Sequence, residues 1–558
     1  MRKKRILFCS EATFLNTGYA TYTREILNYL HQTGKYEIAE MASYGERNDP
    51  RAASIPWKYY GVIPNKNCEP KASEEELRAY DAKPSNQFGE FIFEHVCLDF
   101  LPDFVCDIRD FWMLDFAERS PFRPFFKWVV MPTVDARPQA RQWIATYSNA
   151  DACLTYSDWA GGILKDQSGG KINYLGSSPP SAHPAYKVMD KRKCRENLGI
   201  DPDCKIIGTV MRNQRRKLYP DLFAAFKKFL DTTNSKDVYL YCHTSYPDLG
   251  WDIPELLNQY EIGSKVLFTY ICPETKKPFA STFKGAVAQS PYTGRWGSTL
   301  SNVKNGLSYE DLAGVMNCFD LYTQYANCEG FGLPQVEAAA CGVPVCGTDY
   351  SAMESVLRKL GGHPIKPKAL YKELETGCLR AVPDNDAAAA YFEEFFSMSE
   401  EDRVLEGQET RESFEKYYQW HLSGSVWEKY FDETDPVPFN EGWGSQPRIF
   451  ESAPKPQNLN QVTSSQLAKW LIVEGLREPD RLNSYLESRL IRDLTYGTST
   501  SSTGGMYFNE SSAAFDGVNH RSPFNFDIAY DQMKAQCDRR NHWEKLRIQR
   551  VKQLQENQ

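Results

Sequence analysis

The sequence predicts an α/β protein with two parallel-sheet domains and a less regular carboxyl-terminal extension. Its 558 residues exceed what a single hydrophobic core usually organises. Short apolar runs alternate with amphipathic helices through most of the first 410 residues, which is the pattern of repeated βαβ units. The segment GSSPPSAHP interrupts this alternation with three prolines, so we place the first domain at residues 1–185.

The first domain opens with a short apolar strand at residues 5–9, a loop that contains Gly18, and an amphipathic helix that ends near Gly34. Further strand candidates follow, with the sequences DFVCDI, KWVVMPTV and ACLTYS. Asp110 and Asp135 come just after the first two of these strands. Since ligands bind at the carboxyl ends of strands in open α/β sheets, we expect both carboxylates near a binding site.

The second domain, which we place at residues 186–410, repeats the alternation from the strand CKIIGTVM to the strand LYTQYA and the buried run VPVCG. Residues 272–305 interrupt it, and we expect a hairpin insert there. After about residue 431 the signal fades into proline-rich and polar sequence. We therefore assign residues 411–558 to a crossing helix, SFEKYYQWHLSGSVWEKYF, and a carboxyl-terminal extension.

Composition and charge narrow the class of protein. Charged residues make up 25% of the chain and the formal net charge is −8, which argues against a general affinity for polyanions. The 15 cysteines are odd in number and lie in apolar contexts such as AAACGVPVCG, as expected of reduced thiols. No apolar run is long enough for a signal-peptide core or a membrane span. We therefore expect a cytoplasmic protein without a transmembrane segment.

One motif carries most of the functional signal. The stretch CEGFGLPQVEAAACGVPV holds two glutamates, Glu329 and Glu337, separated by glycines and a proline. It follows a predicted strand, and Pro334 suits the first turn of a helix because its missing N–H costs nothing there. We predict a helix from about Pro334 to near Gly342. The glycines allow close backbone approach, and the free amides of the helix start suit polar or anionic groups.

The sequence around this motif resembles the retaining glycosyltransferases of the GT-B fold, in particular the large family numbered four. Those proteins carry an E-x7-E signature, and Glu329 with Glu337 reproduces its spacing. The resemblance extends over roughly residues 195–360 and, more loosely, over 5–180. It implies two facing Rossmann-like domains with a nucleotide-sugar in the cleft between them. The carboxyl-terminal tail lies outside the resemblance.

The resemblance also implies roles for individual residues of the motif. Glu337 would bind the ribose of the donor, and Glu329 would hold hydroxyls of the transferred sugar. The loop backbone would assist at Gly330, Phe331, Gly332 and Leu333. Solvated loop and helix charges are the alternative interpretation of the two glutamates.

A basic segment, MRNQRRK, directly follows a predicted strand and is similar to the phosphate-binding segment of the same family. Arg212 and Lys217 would neutralise a diphosphate leaving group there without a metal, since fixed cations stabilise the developing charge. A solvated basic loop is the alternative. The sequence DPD at Asp201–Asp203 has the form of a metal site, but aspartate and proline are ordinary turn residues in that position.

The first domain departs from the family pattern at one position. Family members often carry a histidine near the position of Asp135, where it contacts the transferred sugar. Asp135 would accept sugar hydroxyls or orient the acceptor, or it would pair with Arg137 or Arg109. Gly18 would let its loop approach the donor phosphates or the acceptor, or it is only a turn before a helix. Asp110 is the second candidate carboxylate of this domain.

Two further segments bear on metals and acceptors. Residues 272–294 resemble zinc-knuckle inserts of phage and environmental relatives, but only Cys272 remains as a thiol, and a closed zinc site needs four ligands. We therefore expect no structural metal. The last helix is locally basic through residues such as Arg539, Arg547 and Arg550. It is either a solvated face or a patch for phosphate-rich acceptors.

The resemblance implies transfer of a hexosyl or pentosyl group from a UDP- or GDP-linked donor, with retention of anomeric configuration and no cofactor. The departing diphosphate accepts the proton of the acceptor hydroxyl in that scheme, so no dedicated base is required. The acceptor would be a glycan, a metabolite or a hydroxymethylated pyrimidine in phage DNA. A catalytically silent sugar-nucleotide-binding or scaffolding protein of the same fold is the alternative class.

Overall fold

The computed structural model describes residues 2–302, 305–451 and 526–556, and the chain begins with a seven-stranded sheet. All neighbouring strands in this sheet are parallel, in the order β3-β2-β1-β4-β5-β6-β7. The strands β1 to β7 are Lys4–Glu11, Tyr36–Glu46, Lys58–Ile63, Phe104–Ile108, Lys127–Met131, Ala152–Thr155 and Tyr174–Ser177. Strand β1 lies in the interior of the sheet, between β2 and β4, and its apolar residues are fully buried. The predicted first strand is confirmed and is longer at both ends.

Helices cover this sheet. Helices α1 to α6 are Gly18–Thr33, Glu74–Asp81, Phe93–Phe100, Phe111–Arg119, Arg141–Ser148 and Asp158–Ser168, and short 3-10 turns are Pro50–Ser54, Pro84–Phe88 and Arg123–Phe125. Helix α1 begins where the Thr17 side chain accepts a hydrogen bond from the Ala20 amide. It ends at Gly34, whose φ of 67° suits glycine. The predicted end of this helix is therefore confirmed.

A second sheet of nine strands follows. Strands β8 to β16 are Lys205–Val210, Val238–His243, Val266–Ile271, Pro278–Thr282, Val287–Gln289, Trp296–Leu300, Leu321–Gln324, Val345–Thr348 and His363–Ile365. Their order is β12-β13-β10-β9-β8-β14-β15-β16, and β11 also pairs with β10. The strands that are neighbours in the order β10-β9-β8-β14-β15-β16 pair parallel. Strands β11 and β13 pair antiparallel with β10, and β12 pairs antiparallel with β13. The segment that interrupts the alternation thus adds three strands at one edge.

The helices of the second sheet precede a small ribbon and then a long helix. Helices α7 to α14 are Lys191–Asn197, Tyr219–Thr233, Ile253–Gln259, Tyr309–Met316, Leu333–Ala340, Ala352–Leu360, Asn385–Ser397 and Glu400–Tyr417. The ribbon consists of β17, Pro367–Lys372, and β18, Leu379–Pro383, which pair antiparallel. It lies between β16 and α13 in the chain and is separate from the second sheet.

Helix α15, Trp420–Glu433, returns the chain to the first domain. The Trp427 ring is fully buried against Phe8 of β1, with ring centroids 5.4 Å apart. Its indole N–H donates to the Tyr22 hydroxyl at 3.0 Å. The Tyr29 hydroxyl donates to the Glu428 carboxylate at 2.6 Å. This helix therefore lies in the segment that we expected to cross back, and it fastens that segment to the first domain.

Helix α16, Phe526–Glu556, also packs on the first domain. Arg547 is fully buried and pairs with Glu544 of the same helix. Arg539 pairs with Glu94 at 3.1 Å, and Arg550 pairs with Asp99 at 3.3 Å. All three arginines are thus paired with carboxylates of the protein. Arg547 belongs to the interior, whereas the side chain of Arg539 is 51% exposed and lies on a solvated face. Among the described residues, no helix is long and apolar enough to cross a membrane.

Candidate functional site

The glutamate motif begins in the loop between β14 and α11, at the carboxyl edge of the second sheet, and continues into α11. Gly332 caps the helix with a φ of 89°, a left-handed conformation that glycine adopts at no steric cost. The helix begins at Leu333 and Pro334 lies in its first turn, one residue earlier than expected. It ends at Ala340. The predicted loop and helix are confirmed to within about two residues, which is the usual uncertainty of helix ends.

Glu329 lies in this loop and is only 6% exposed. Its carboxylate pairs with the Lys217 ammonium, and the other oxygen lies 2.5 Å from the Arg216 guanidinium. The Gln324 side-chain amide donates to it at 2.9 Å. The backbone amide of Glu329 donates to the Ser351 hydroxyl at 2.9 Å, which fixes the loop. A buried carboxylate with two cations is therefore the centre of this edge.

Backbone hydrogen bonds bring the basic segment to Glu329. The Asn327 amide donates to the Arg216 carbonyl at 2.9 Å, and the Leu218 amide donates to the Tyr325 carbonyl at 3.0 Å. Burial lowers the pKa of Lys217 well below its ordinary value, and the Arg216 cation lowers it further. An anion bound beside Lys217 opposes that shift because it favours the charged ammonium. The arrangement is suited to holding phosphate oxygens.

Arg212 lies elsewhere in the same loop. Its guanidinium makes a two-pronged contact with Asp248, at 2.9 Å and 3.0 Å, and its side chain is 45% exposed. This contact lowers the pKa of Asp248 to about 2. The structure thus places Arg216, not Arg212, with Lys217 at Glu329. The sequence RNQRRK offers three arginines within six residues, and spacing alone does not select among them.

Glu337 lies on α11 and is only 9% exposed. Burial raises the pKa of its carboxyl to about 7, and the neighbouring Tyr186 hydroxyl partly opposes the rise. No lysine or arginine among the described residues forms an ion pair with Glu337, in contrast to Glu329. Tyr186 comes from the segment that joins the two domains. Nothing in its local sequence marked it as a neighbour of the motif.

Asp135 reaches across to the second domain. Its carboxylate lies 3.0 Å from the guanidinium of Arg380 on β18, and Arg380 also pairs with Glu373 at 2.7 Å. The expected pairing with Arg109 is wrong, because Arg109 is buried in an ion pair with Asp107. Arg137, the other arginine that we considered, is exposed. Its backbone carbonyl accepts a hydrogen bond from the amide of Leu379, the first residue of β18.

The remaining candidates of the first domain lie at the facing edge of its sheet. Asp110 is the residue before α4, and its side chain makes no capping hydrogen bond to that helix. Its carboxylate instead accepts a hydrogen bond from the Tyr19 hydroxyl at 2.8 Å. The same hydroxyl lies 2.5 Å from the Thr133 hydroxyl. Burial raises the pKa of Asp110 to about 6. A side chain added at Gly330 would collide with Thr133, whereas one added at Gly18 would meet open space. The two sheet edges therefore face each other across a narrow cleft.

The insert contributes one isolated thiol. Cys272 is buried, and its sulfur lies 3.1 Å from a Glu274 carboxylate oxygen. Throughout residues 2–302, 305–451 and 526–556, no three or more His, Cys, Asp or Glu side chains are grouped in a way that would hold a metal ion.

No protein-family model matches the sequence, and no curated protein matches it. The structure, however, is similar to several solved ones. Sucrose-phosphate synthase from Thermosynechococcus elongatus has a TM-score of 0.54 and 15% identity over 78% of this chain and 100% of that chain. A glycosyltransferase from Rickettsia africae has a TM-score of 0.53 and 13% identity over 78% and 99% of the two chains. HepE from Anabaena, in complex with UDP, has a TM-score of 0.53 and 12% identity over 78% and 100%.

These similarities define the fold class. The chain has the GT-B fold, with two facing Rossmann-like domains followed by a carboxyl-terminal extension. The fold class predicted from the sequence is therefore confirmed. At 12–15% identity the similarity concerns the fold, so the chemistry has to be argued from the side chains in the cleft.

Proposed function

We propose that this protein is a glycosyltransferase that moves a sugar from a nucleoside-diphosphate sugar to an acceptor hydroxyl, with retention of anomeric configuration and without a metal. The observation that carries the proposal is the convergence of Lys217 and Arg216 on Glu329 at the carboxyl edge of the second sheet. The HepE structure contains UDP, which supports a uridine diphosphate as the first donor to test, with GDP as the second.

The cations at this edge have a defined task in that reaction. As the bond between sugar and phosphate breaks, negative charge develops on the departing diphosphate. Lys217 and Arg216 are held in place by backbone hydrogen bonds, so they stabilise this charge without having to reorganise. Glu329 pairs with the buried Lys217 and the partly exposed Arg216 when no anion is bound. Its oxygens can also accept hydrogen bonds from sugar hydroxyls.

Glu337 and the loop backbone have binding roles. The carboxylate of Glu337 accepts hydrogen bonds from the ribose hydroxyls when it is ionised. Because its pKa is raised to about 7, it exchanges its proton near neutral pH and a bound hydroxyl pair favours the ionised form. The loop from Gly330 to Leu333 lies beside it and presents backbone amides at the start of α11.

The acceptor proton leaves with the diphosphate in this scheme. The acceptor hydroxyl attacks the anomeric carbon from the side of the departing group, its oxygen forms the new glycosidic bond, and its proton passes to a phosphate oxygen. No side chain has to act as a base. Asp135 and Asp110 then serve to position hydroxyls at the facing edge, and Arg212 contributes a more distant positive charge from its contact with Asp248.

A thermal-shift panel of uridine, guanosine, adenosine and thymidine diphosphates and their sugars tests donor binding. A ligand that occupies the folded state raises the melting temperature. One diphosphate should stabilise the wild type, and Lys217→Ala and Glu337→Ala should each weaken the effect. Lys227→Ala is the matched control, since its ammonium pairs with Asp231 on the surface of α8. Stabilisation by no nucleotide would contradict the proposal.

Catalysis and its stereochemistry need a second measurement. The stabilising donor is incubated with the protein in the presence of EDTA, and NMR follows the anomeric proton of the donor and of the product. Release of sugar with the same configuration supports a retaining enzyme without a metal. A donor that binds but stays uncleaved with every acceptor tested would instead indicate a silent sugar-nucleotide-binding or scaffolding protein.

A further inference from the structure

The carboxyl edge of the first sheet carries a cluster of acidic and hydroxyl side chains, which we call the acidic edge. Four neighbouring strands supply it: Glu11 ends β1, Asp110 follows β4, Thr133 follows β5 and Tyr156 follows β6. Tyr19 on α1 joins Asp110 to Thr133 through its hydroxyl. Thr133 lies against Gly330, in the loop between β14 and α11 that would bind the donor. The acidic edge therefore adjoins the position that the transferred sugar would occupy.

Two carboxylates of this edge have no ion-pair partner within the described ranges of the chain, whereas Asp135 beside them pairs with Arg380. Among the described residues, no lysine or arginine forms an ion pair with Glu11 or Asp110. Glu11 accepts a hydrogen bond from the Thr17 hydroxyl, and Asp110 accepts one from Tyr19. Their charges also act on each other, because Glu11 contributes to raising the pKa of Asp110 after burial and Asp135. A phosphate placed here would meet like charges without a neutralising partner.

A buried hydroxyl provides an independent indication of a ligand. Tyr156 is only 7% exposed, and its hydroxyl has no hydrogen-bond partner in the part of the chain that the structure describes. Tyr156 follows β6, two strands from β4, which places it at the same sheet edge as Asp110. Burial raises the pKa of Tyr156, and Tyr22, Asp110 and Glu11 raise it further. A buried polar group without a partner is costly, and a hydroxyl of a bound molecule supplies the missing hydrogen bond.

We propose that the acidic edge binds an uncharged polyhydroxy acceptor, such as a neutral glycoside, and excludes phosphorylated acceptors. This inference rests on the proposed function, because it assigns the acceptor class of the same cleft. The carboxylates of Asp110 and Glu11 accept hydrogen bonds from acceptor hydroxyls, and the Tyr156 hydroxyl donates or accepts a further one. A DNA duplex, with one negative charge per about 1.7 Å of helix axis, is disfavoured at this edge.

The test measures acceptor binding apart from catalysis. Saturation-transfer NMR compares methyl glucoside, methyl galactoside and methyl mannoside with their 6-phosphates, in the presence of UDP. We expect at least one neutral glycoside to bind about tenfold more tightly than its 6-phosphate. The ratio should fall as salt rises from 0.05 to 0.5 M, because screening weakens repulsion between the charges (the Debye length is about 8 Å at 0.15 M).

Two substitutions test which side chains produce the preference for the neutral glycoside. Glu11→Gln should narrow the preference for the neutral glycoside about threefold, and Tyr156→Phe should weaken neutral binding about fivefold. Tyr239→Phe, at a half-buried tyrosine of the second domain, is the matched control. Stabilisation by UDP is measured on the same variants and should not change, since UDP would occupy the opposite edge.

Three results would overturn the inference: 6-phosphates that bind as tightly as the neutral glycosides, a duplex with hydroxymethylcytosine that binds more tightly than either, or no glycoside binding at all. Failure of the proposed function has a different signature. It appears as a lack of stabilisation by every nucleotide, whatever the glycosides do.

Discussion

The carboxyl edges of the two sheets have the same architecture and opposite charge. At the second sheet, Lys217 and Arg216 surround Glu329 and leave a surplus of positive charge. At the first sheet, Glu11 and Asp110 lie among hydroxyl groups and without an ion-pair partner among the described residues. Parallel sheets collect polar side chains at this edge in both domains. The side chains themselves decide that one edge suits a diphosphate and the other suits neutral hydroxyls.

Burial has different consequences at the two edges. A buried charge is tolerated when it is paired and costly when it is alone. Glu329 belongs to the first kind, whereas Glu337 and Asp110 belong to the second, and burial raises the pKa of each of these two. The comparison therefore separates a carboxylate held between two basic side chains from carboxylates whose protons exchange near neutral pH.

The largest effect should come from breaking the buried ion pair between Lys217 and Glu329 at the edge of the second sheet. Lys217→Met leaves the Glu329 carboxylate with a single cation, and breaking a buried ion pair costs about 3–5 kcal/mol. Thermal and urea unfolding should show this loss. The double variant Lys217→Met with Glu329→Gln should recover much of it, because the one remaining charge, on Arg216, is 41% exposed to solvent. Equal stability of the single and double variants would contradict a buried pair.

Glu337→Gln should alter how stability depends on pH. The folded pKa of about 7 lies above the ordinary 4.5, so the contribution of this carboxyl is present below pH 4.5 and is lost as pH rises through 7. The neutral glutamine avoids that loss, and its advantage should grow from near zero at pH 4.5 to about 3 kcal/mol at pH 8, at about 1.36 kcal/mol per pKa unit.

Melting temperatures of the wild type and Glu337→Gln between pH 5.5 and 8 measure this effect. Asp110→Asn is the matched variant of the acidic edge. Its advantage should develop between pH 3.8 and 6 and change little above pH 6, because its folded pKa is lower. A difference between Glu337→Gln and the wild type that does not change with pH would show that Glu337 is ionised throughout.

Gly330→Ala should force the two edges apart. Its methyl group would collide with the Thr133 side chain, and overpacking of this kind costs about 1–3 kcal/mol. Sugar transfer should fall about thirtyfold. Adding Thr133→Ser should restore most of it, because serine lacks the γ-methyl but keeps the hydroxyl beside Tyr19. Small-angle scattering reports the domain separation, and full transfer activity of Gly330→Ala would indicate a wider cleft in solution.

Local sequence predicted the fold and the backbone elements that carry the site well. The spacing of apolar runs gives the two sheets, and the glycines and proline around Glu329 fix the loop and the start of α11 within about two residues. These features depend on backbone conformation over a few positions. They can therefore be inferred without knowing which parts of the chain come together.

Partners across the cleft could not be predicted in the same way. Asp135 pairs with Arg380, which is 245 residues away on a ribbon between β16 and α13. Tyr156 has nothing distinctive in its local sequence, and its importance follows from the order of strands. Arg216 lies in the basic segment, but only backbone contacts between loops select it over Arg212. Side-chain pairing over such separations is set by the packing of whole domains.

Gly18→Ala should have the smallest effect and shows which ligand approaches the first helix. The added methyl group meets open space, and the backbone there is not left-handed, so stability should rise by about 0.5 kcal/mol. A ligand in that space would be displaced by the methyl group. The KM of the donor should rise about threefold if donor phosphates lie there, and that of the acceptor if the acceptor does. Unchanged KM values for both would show that Gly18 only begins the helix. The acidic edge would then bind its ligand through side chains alone.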